Sequence, residues 1–409
     1  MTMINHQQST ARLFARRCVL GVLIPAPLVA LAGGCQPAKV GTIEEICAIE
    51  GTQITGVAVS KSGRIFTNAP RWHDDFGGVS VFEVTGPTEL TPYPPVTSGP
   101  WNAWTPSGEL PASATFVCVQ SVVVDALDRL WVLDAASPAF SGVVPGGPKL
   151  VQIDLKTNRV VRVYGFDETI APTDSYLNDV RVDVAGTGHA FITDSGRGGL
   201  VVLDLASGLS RRLLDKHPSV LGQPGFVPVI DSREVMFPDG KLLVGHSDGI
   251  ALDVARGYLY WQALTDLKLY RLPTRLLKNS SLTAEQLSEA IEAQPVYSAV
   301  DSDGAGVMTD GIEVDGRGNV YYTAVEQNAI MLRQPSGTLV TIVKDDDRLI
   351  WPDSLSWVAA NTGGTALYVS TSQIHRTKWF SADQSQPAGP YRILKINLPA
   401  NLARPPVAP

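Results

Sequence analysis

The chain has 409 residues, a formal charge of −7 and 18% charged residues. No basic stripe runs along it, which argues against nucleic acid as a partner. Beyond the N-terminal segment no apolar run is long enough to span a membrane, and the repeat described below assigns residues 35–409 to a single domain.

Residues 1–34 read as an export signal. Arg12, Arg16 and Arg17 form a positive start, Val19-Leu20-Gly21-Val22-Leu23-Ile24 and Leu28-Val29-Ala30-Leu31 an apolar stretch, and Ala32-Gly33-Gly34 a small-residue exit. Cys35, directly after that exit, resembles a bacterial lipoprotein processing site with its Leu, Leu31, one place too far away. Ala15-Arg16-Arg17-Cys18-Val19-Leu20 resembles a twin-arginine signal. Either way the expected location is periplasmic or extracellular, with a membrane reached only through a lipid anchor at Cys35. Cys47 and Cys118 then remain, as one disulfide or as two buried small side chains.

From residue 55 onward a polar residue introduces a short apolar strand six times over. The copies are Thr55-Gly56-Val57-Ala58-Val59, Gln120-Ser121-Val122-Val123-Val124, Asn178-Asp179-Val180-Arg181-Val182, Asp248-Gly249-Ile250-Ala251-Leu252, Asp310-Gly311-Ile312-Glu313-Val314 and Asp353-Ser354-Leu355-Ser356-Trp357. A turn and a second strand rich in aromatic and β-branched residues follow each, as in Leu130-Trp131-Val132-Leu133 and Val320-Tyr321-Tyr322-Thr323. Further pairs, such as Leu150–Leu155 with Val160–Tyr164, make four strands per copy. The expected fold is all-β, a six-bladed β-propeller of four-stranded blades.

A helix is expected over Leu282 to Ala293, opened by the capping box Thr283-Ala284-Glu285-Gln286 and striped by Leu287 and Ile291. It should pack on the rim of the fourth blade. Tyr391–Leu398 reads as a last strand, and pairing it with a strand near the mature N-terminus would close the ring.

If the repeat frame holds, Thr55, Gln120, Asn178, Asp248, Asp310 and Asp353 converge on one end of the channel. Three carboxylates and two amides in a confined space repel one another unless a cation or protons neutralise them. All are oxygen donors, which favours Ca²⁺ or Mg²⁺, with Asn178, Asp248 and Asp310 as candidate ligands. The alternative is that these side chains satisfy backbone donors and hold water. Asp310 and, as proton acceptor, His246 are the candidate catalytic residues. Asp353 and Gln120 are candidate ligand contacts. So are Trp101 and Trp104, which cluster with Trp72, Tyr93, His73, Asp74 and Asp75 in the Pro-rich loop between the first two blades, where aromatic faces beside carboxylates suit a cationic or ring-shaped ligand. Asp134, Asp179, Asp194 and His189 form a second layer near the same face. Gly245-His246-Ser247-Asp248-Gly249 matches the serine-hydrolase elbow, but that elbow needs a helix after the turn, and Ile250-Ala251-Leu252-Asp253 is a strand in the repeat frame.

Several stretches resemble the major royal jelly protein/Yellow family in its bacterial form: Leu130-Trp131-Val132-Leu133-Asp134, Ser175-Tyr176-Leu177-Asn178-Asp179, Ile192-Thr193-Asp194-Ser195-Gly196, Leu272-Pro273-Thr274 and Trp351-Pro352-Asp353-Ser354-Leu355. The resemblance implies a secreted six-bladed propeller that binds a small molecule. Some insect members are described as dopachrome-converting enzymes, but this chain lacks their Cys in the second blade, having Asp125-Ala126-Leu127-Asp128 there. A fainter likeness, in the blade motifs, is to the senescence-marker/gluconolactonase propellers. Their channel metal would fall here on Asn178, Asp248 and Asp310, while Thr55 stands where they carry a Glu.

Three readings follow: an exported propeller binding a small molecule at the channel mouth, with or without a divalent cation; a metal-dependent lactonase-like hydrolase or isomerase; and an envelope interaction protein using the outer faces.

Overall fold

The computed structural model describes residues 41–73, 76–294, 297–298, 306–358, 366–380, 388–398 and 402. The export signal, Cys35, Asp74 and Asp75 lie outside the described residues.

Six antiparallel sheets follow one another around an axis. Blade 1 comprises Val57–Val59, Ile65–Asn68, Val81–Gly86 and Glu89–Pro92; blade 2 begins with Val119–Val124 and ends with Arg159–Gly165. Blade 3 runs from Leu177–Asp183 to Ser210–Leu213, and blade 4 from Ser247–Asp253 to Glu292–Gln294. Blade 5 runs from Thr309–Val314 to Thr338–Lys344, where a short parallel strand, Tyr297–Ser298, covers its outer edge. Blade 6 takes Pro352–Trp357, Ala366–Thr371 and Tyr391–Asn397, and its outermost strand is Thr42–Ile49. That last pairing staples the two ends of the chain into one sheet and closes the ring, as the sequence reading expected.

Hydrophobic clusters fill the space between neighbouring blades. Trp131 and Leu133 of blade 2 meet Val180, Ile192 and Val201 of blade 3, and Ala251 and Tyr260 of blade 4 meet Ile312 and Tyr322 of blade 5. Each blade is thus apolar on both faces, which explains its near-continuous apolar strands. The expected helix is shorter than its sequence pattern. Ala284–Glu289 is helical, with the Thr283–Gln286 capping box formed and Leu287 buried. Glu292–Gln294 is instead the fourth strand of blade 4, paired with Leu269–Arg271, because an open sheet edge there outcompetes another turn of helix. Cys47 and Cys118 are both buried and free, packed in different clusters.

One irregularity recurs and matters for function. In blades 2 to 6 the pairing of the innermost strand shifts register at its start: between Val119 and Ser121, Leu177 and Val180, Ser247 and Ile250, Thr309 and Ile312, and Pro352 and Leu355. Such bulges leave residues out of the ladder and re-aim their side chains. The skipped positions are Gln120, Asn178, Asp248, Asp310 and Asp353 with their followers. In three blades a second-strand hydroxyl takes up a freed amide: Thr193 accepts from Asp179 at 3.1 Å, Thr323 from Gly311 at 2.8 Å and Ser370 from Ser354 at 3.2 Å. Gly249 sits where a Cβ would lie 2.6 Å from the Asp310 carbonyl, so neighbouring innermost strands approach as closely as they do only because glycine is there.

Candidate active site

The bulges deliver Gln120, Asn178, Asp248, Asp310 and Asp353 to one cavity of about 360 Å³. All five are buried. Thr55, the sixth position, is absent from the lining; its hydroxyl donates to the Gln120 carbonyl and accepts from Asn68. The polar floor is one hydrogen-bonded set. Asn178 Nδ2 donates to Asp248 Oδ1 at 2.6 Å, Ser195 Oγ to Asn178 Oδ1 at 3.0 Å, and Trp351 Nε1 to Asp310 Oδ2 at 2.7 Å. Asp248 and Asp310 are close neighbours in this floor, and a proton taken up by either would relieve the repulsion between them. On Asp353, Ser354 Oγ donates to Oδ1 at 3.1 Å, while Oδ2 has no hydrogen bond although Ser372 lies beside it.

Burial, followed by the charge of the neighbouring carboxylates, raises the floor acids. Asp310 is pushed up to about 6 by desolvation, with the Trp351 indole N–H pulling the other way. Asp248 and Asp353 are pushed well above the ordinary carboxyl range by desolvation and then by Asp310. Asp179, beneath them, is raised by desolvation and partly restored by Arg181. Arg181 Nε reaches across from blade 3 to Glu313 of blade 5 at 2.9 Å, and its other nitrogens donate to the Val180 and Ile312 carbonyls. This buried bridge spans the channel below the floor.

Aromatic rings form the wall. Phe140 stacks on Tyr176 with centroids 4.3 Å apart and on Trp72 at 5.7 Å, and Trp379 meets Phe140 edge-on at 5.4 Å. Trp72 Nε1 donates to Tyr176 Oη at 2.6 Å, and Tyr176 donates to Gln120 Oε1 at 2.9 Å. Because an indole N–H only donates, the Tyr176 proton is left for Gln120, and this fixes the amide with its NH₂ away from Tyr176. Trp351 takes a left-handed backbone, φ 49°, just before Pro352, and its ring stacks on His375 at 5.7 Å. Left-handed backbone is costly for a bulky residue. His375 in turn bonds Asp231 at 3.1 Å, and Arg376 bonds the same carboxylate at 2.8 Å.

Other expected residues sit elsewhere. Trp101 packs on Phe116 at 5.2 Å, and Trp104 joins Val117 and Ala136 under the Arg71 guanidinium. Neither lines the cavity; Trp101 joins the apolar core between blades 1 and 2, and Trp104 a small cluster with Val117 and Ala136. His246 is also absent from the lining. Its Nδ1 accepts from the Gly222 amide at 3.1 Å, and burial lowers its pKa. Ser247 Oγ donates to the Asp194 and Gly199 carbonyls from within a strand, so no nucleophile elbow forms. His189 lies against Asp204, at 3.7 Å, away from the cavity. Asp134 and Asp194 act as staples: Asp134 accepts from the Val117, Cys118 and Ala136 amides and from Lys149 at 2.6 Å. Asp194 accepts from the Tyr176, Gly196 and Arg197 amides, Ser175 and Arg212. Each pins the chain that enters the next bulge.

Of the wall, the sequence pointed to Trp72, in the aromatic loop between the first two blades, and not to Phe140, Tyr176 or Trp379. One signal was present: two places before the ring positions stand Cys118, Tyr176, His246, Met308 and Trp351, and extending the repeat frame upstream would have picked out Tyr176 and Trp351. Phe140 and Trp379 come from irregular loops and leave no periodic trace.

As a donor set the floor offers only oxygen acceptors and amides, the type that a hard cation takes. In this structure the Asn178 amide NH₂ faces Asp248. Among the described residues no group of three or more His, Cys, Asp or Glu side chains is placed to hold a metal ion.

A propeller whose single-sided pocket joins an acidic floor to an aromatic wall is the class that fold and site define. Residues 117–402 match the family model of the major royal jelly proteins, and the chain belongs to that family. It is 23% identical over 284 residues to a dopaminechrome tautomerase of Drosophila melanogaster, covering 66% of this chain and 58% of the relative. It is 24% identical over 283 residues to the protein yellow of Drosophila guanche, covering 65% and 46%. The chain thus spans about half the length of these curated relatives. Among solved structures, a luciferin-regenerating enzyme matches with a TM-score of 0.52 at 12% identity, covering 90% of this chain and 98% of that one. A gluconolactonase of Xanthomonas campestris matches at 0.48 and 12%, covering 88% and 90%. At such identities the likeness is one of fold.

Proposed function

We propose that this chain is an exported propeller that binds a small ring-bearing molecule with a cationic or hydrogen-bond-donating group in the channel-mouth pocket. The observation that carries the reading is the joining of Phe140, Tyr176, Trp72 and Trp379 to a floor of three mutually crowded carboxyls, of which Asp353 keeps one oxygen unpartnered. A ring gains contact with the wall, and a positive or donor group relieves repulsion at the floor. Export rests on the sequence of residues 1–34 and the Cys35 site. Titration calorimetry with 2-phenylethylamine and tryptamine, against the neutral ring compounds ethylbenzene and 1-methyl-3-ethylindole, which lack a donor group, tests the reading. The amines should bind and the neutral compounds bind at least tenfold more weakly; no amine binding refutes it.

A second reading is acid–base isomerisation, favoured by the neighbouring Asp248 and Asp310 carboxyls, both raised by burial, of which one would carry a proton while the other serves as base. Removal of a proton from substrate by one carboxylate and its return at another atom by the protonated partner needs no co-reactant. The name of the tautomerase relative supports this class, and turnover of dopaminechrome followed by absorbance, lost in Asp310→Asn, tests it. A divalent cation, Ca²⁺ or Mg²⁺, would be held by Asn178, Asp248 and Asp310 and would supply Lewis-acid chemistry of the lactonase kind. Elemental analysis together with thermal melts in chelator and in added Ca²⁺ decides that point.

A further inference from the structure

Of the four wall rings, Phe140 differs in kind. Tyr176 and Trp72 are 1% and 4% exposed and tied through their polar tips, whereas Phe140 is 49% exposed and its ring is held by stacking alone. Its backbone is also unusual. Ala136, Ala139 and Phe140 all have left-handed φ, 50°, 49° and 52°, in a stretch whose amides bond the Arg71, Ser137 and Pro138 carbonyls. Two consecutive non-glycine residues in that region form a strained turn, and strained backbone kept at a ligand site points to use. The strained turn lays an apolar ring on Tyr176, 27° from parallel, with Trp72 and Trp379 also against it, at the cavity that Ala139 and Phe140 help to line. A half-exposed phenyl in a rigid parallel stack is a surface waiting for another flat group: offset stacking rewards a second ring, whereas a puckered one makes fewer contacts with the same face.

We infer that Phe140 is the specificity-determining residue of the pocket, the plate that selects flat, aromatic or conjugated cyclic ligands over saturated ones of the same charge and size. This rests on the pocket reading above. Tyr176 acts behind it as a positioning residue, setting the tilt of the plate.

The test compares 2-phenylethylamine with its saturated analogue 2-cyclohexylethylamine by calorimetry, in the wild type and in Phe140→Ala, Phe140→Leu and Phe140→Tyr. The wild type should prefer the flat amine. Phe140→Ala and Phe140→Leu should lower that preference about three- to tenfold, the span expected for loss of one aromatic pair, while binding of the saturated amine changes little. Phe140→Tyr should keep the preference, which separates stacking from mere bulk. Because the residue is half exposed, melting temperatures of all four proteins serve as the folding control, and if Phe140→Ala melts early the comparison rests on Phe140→Leu against Phe140→Tyr. If the wild type binds both amines and the preference survives in Phe140→Leu, this inference is wrong and the pocket reading stands. If the wild type binds neither amine, both fall.

Discussion

Two sets of buried aspartates share this propeller, and they are in opposite condition. Asp134 and Asp194 are fully buried, yet each accepts from at least three backbone amides and pairs with a cation, Lys149 or Arg212. Asp248, Asp310 and Asp353 are also buried but face one another, with a single indole, amide or hydroxyl donor apiece among the described residues. The first set is satisfied by its own fold. The second is left to be satisfied by protons or by something that enters the pocket. Residue type and burial alone do not separate structure from function here; the inventory of donors does.

The contrast can be broken by mutation. Asp134→Ala leaves Lys149, 1% exposed, without its counter-charge and should cost about 3–5 kcal/mol in urea unfolding. Asp310→Asn removes one member of a repelling group and should leave stability unchanged or raise it by about 1 kcal/mol, while amine affinity falls at least tenfold. If Asp310→Asn destabilises as much as Asp134→Ala, the two sets are not different in kind.

Dependence on pH sharpens the same point. Floor carboxyls whose pKa is raised on folding hold protons in the folded state that the unfolded chain has released. Their contribution to stability is therefore full below the ordinary carboxyl value of 3.8 and is lost as pH rises through about 6 for Asp310, and higher for Asp248 and Asp353. Asp231 runs the other way. Despite its burial, Arg376 and His375 hold it down to about 2, so its contribution is present above 3.8 and is lost as pH falls toward 2. Melting temperature should fall from pH 4 to pH 7, with a slope of up to about 1.4 kcal/mol per pH unit for each proton involved, and Asp310→Asn should flatten that limb but leave the acid limb in place. A rising limb between pH 4 and 7 would mean that the floor acids are ionised and satisfied.

How much of this could be read from residues alone follows from what repeats. The blades and the closing strand were legible because each copy pays out the same alternation of polar opener, apolar strand and turn. The floor was legible because the openers, Gln120, Asn178, Asp248, Asp310 and Asp353, recur at one place in the frame, although the bulge that aims them was not. Of the wall only Trp72 was legible, as one of the aromatics in the Pro-rich loop. Phe140 reaches Tyr176 through a left-handed turn that nothing in Ser137-Pro138-Ala139-Phe140 announces, and Trp379 arrives from the far end of the chain. Trp101 and Trp104 misled for the opposite reason: the Pro-rich loop folds them down onto blades 1 and 2, where they fill apolar clusters rather than face a ligand. The short helix at Ala284–Glu289 shows tertiary context overriding a local pattern, since an unpaired edge of blade 4 claimed the residues after it.

In this reading protons neutralise the floor and a cationic ligand takes over that task. Calorimetric titration of 2-phenylethylamine at pH 6, near the Asp310 value, in buffers of different ionisation enthalpy counts the protons exchanged on binding. Net release of a substantial fraction of a proton to solvent is expected, and less in Asp310→Asn. Binding with no proton exchange, or with uptake, would contradict it.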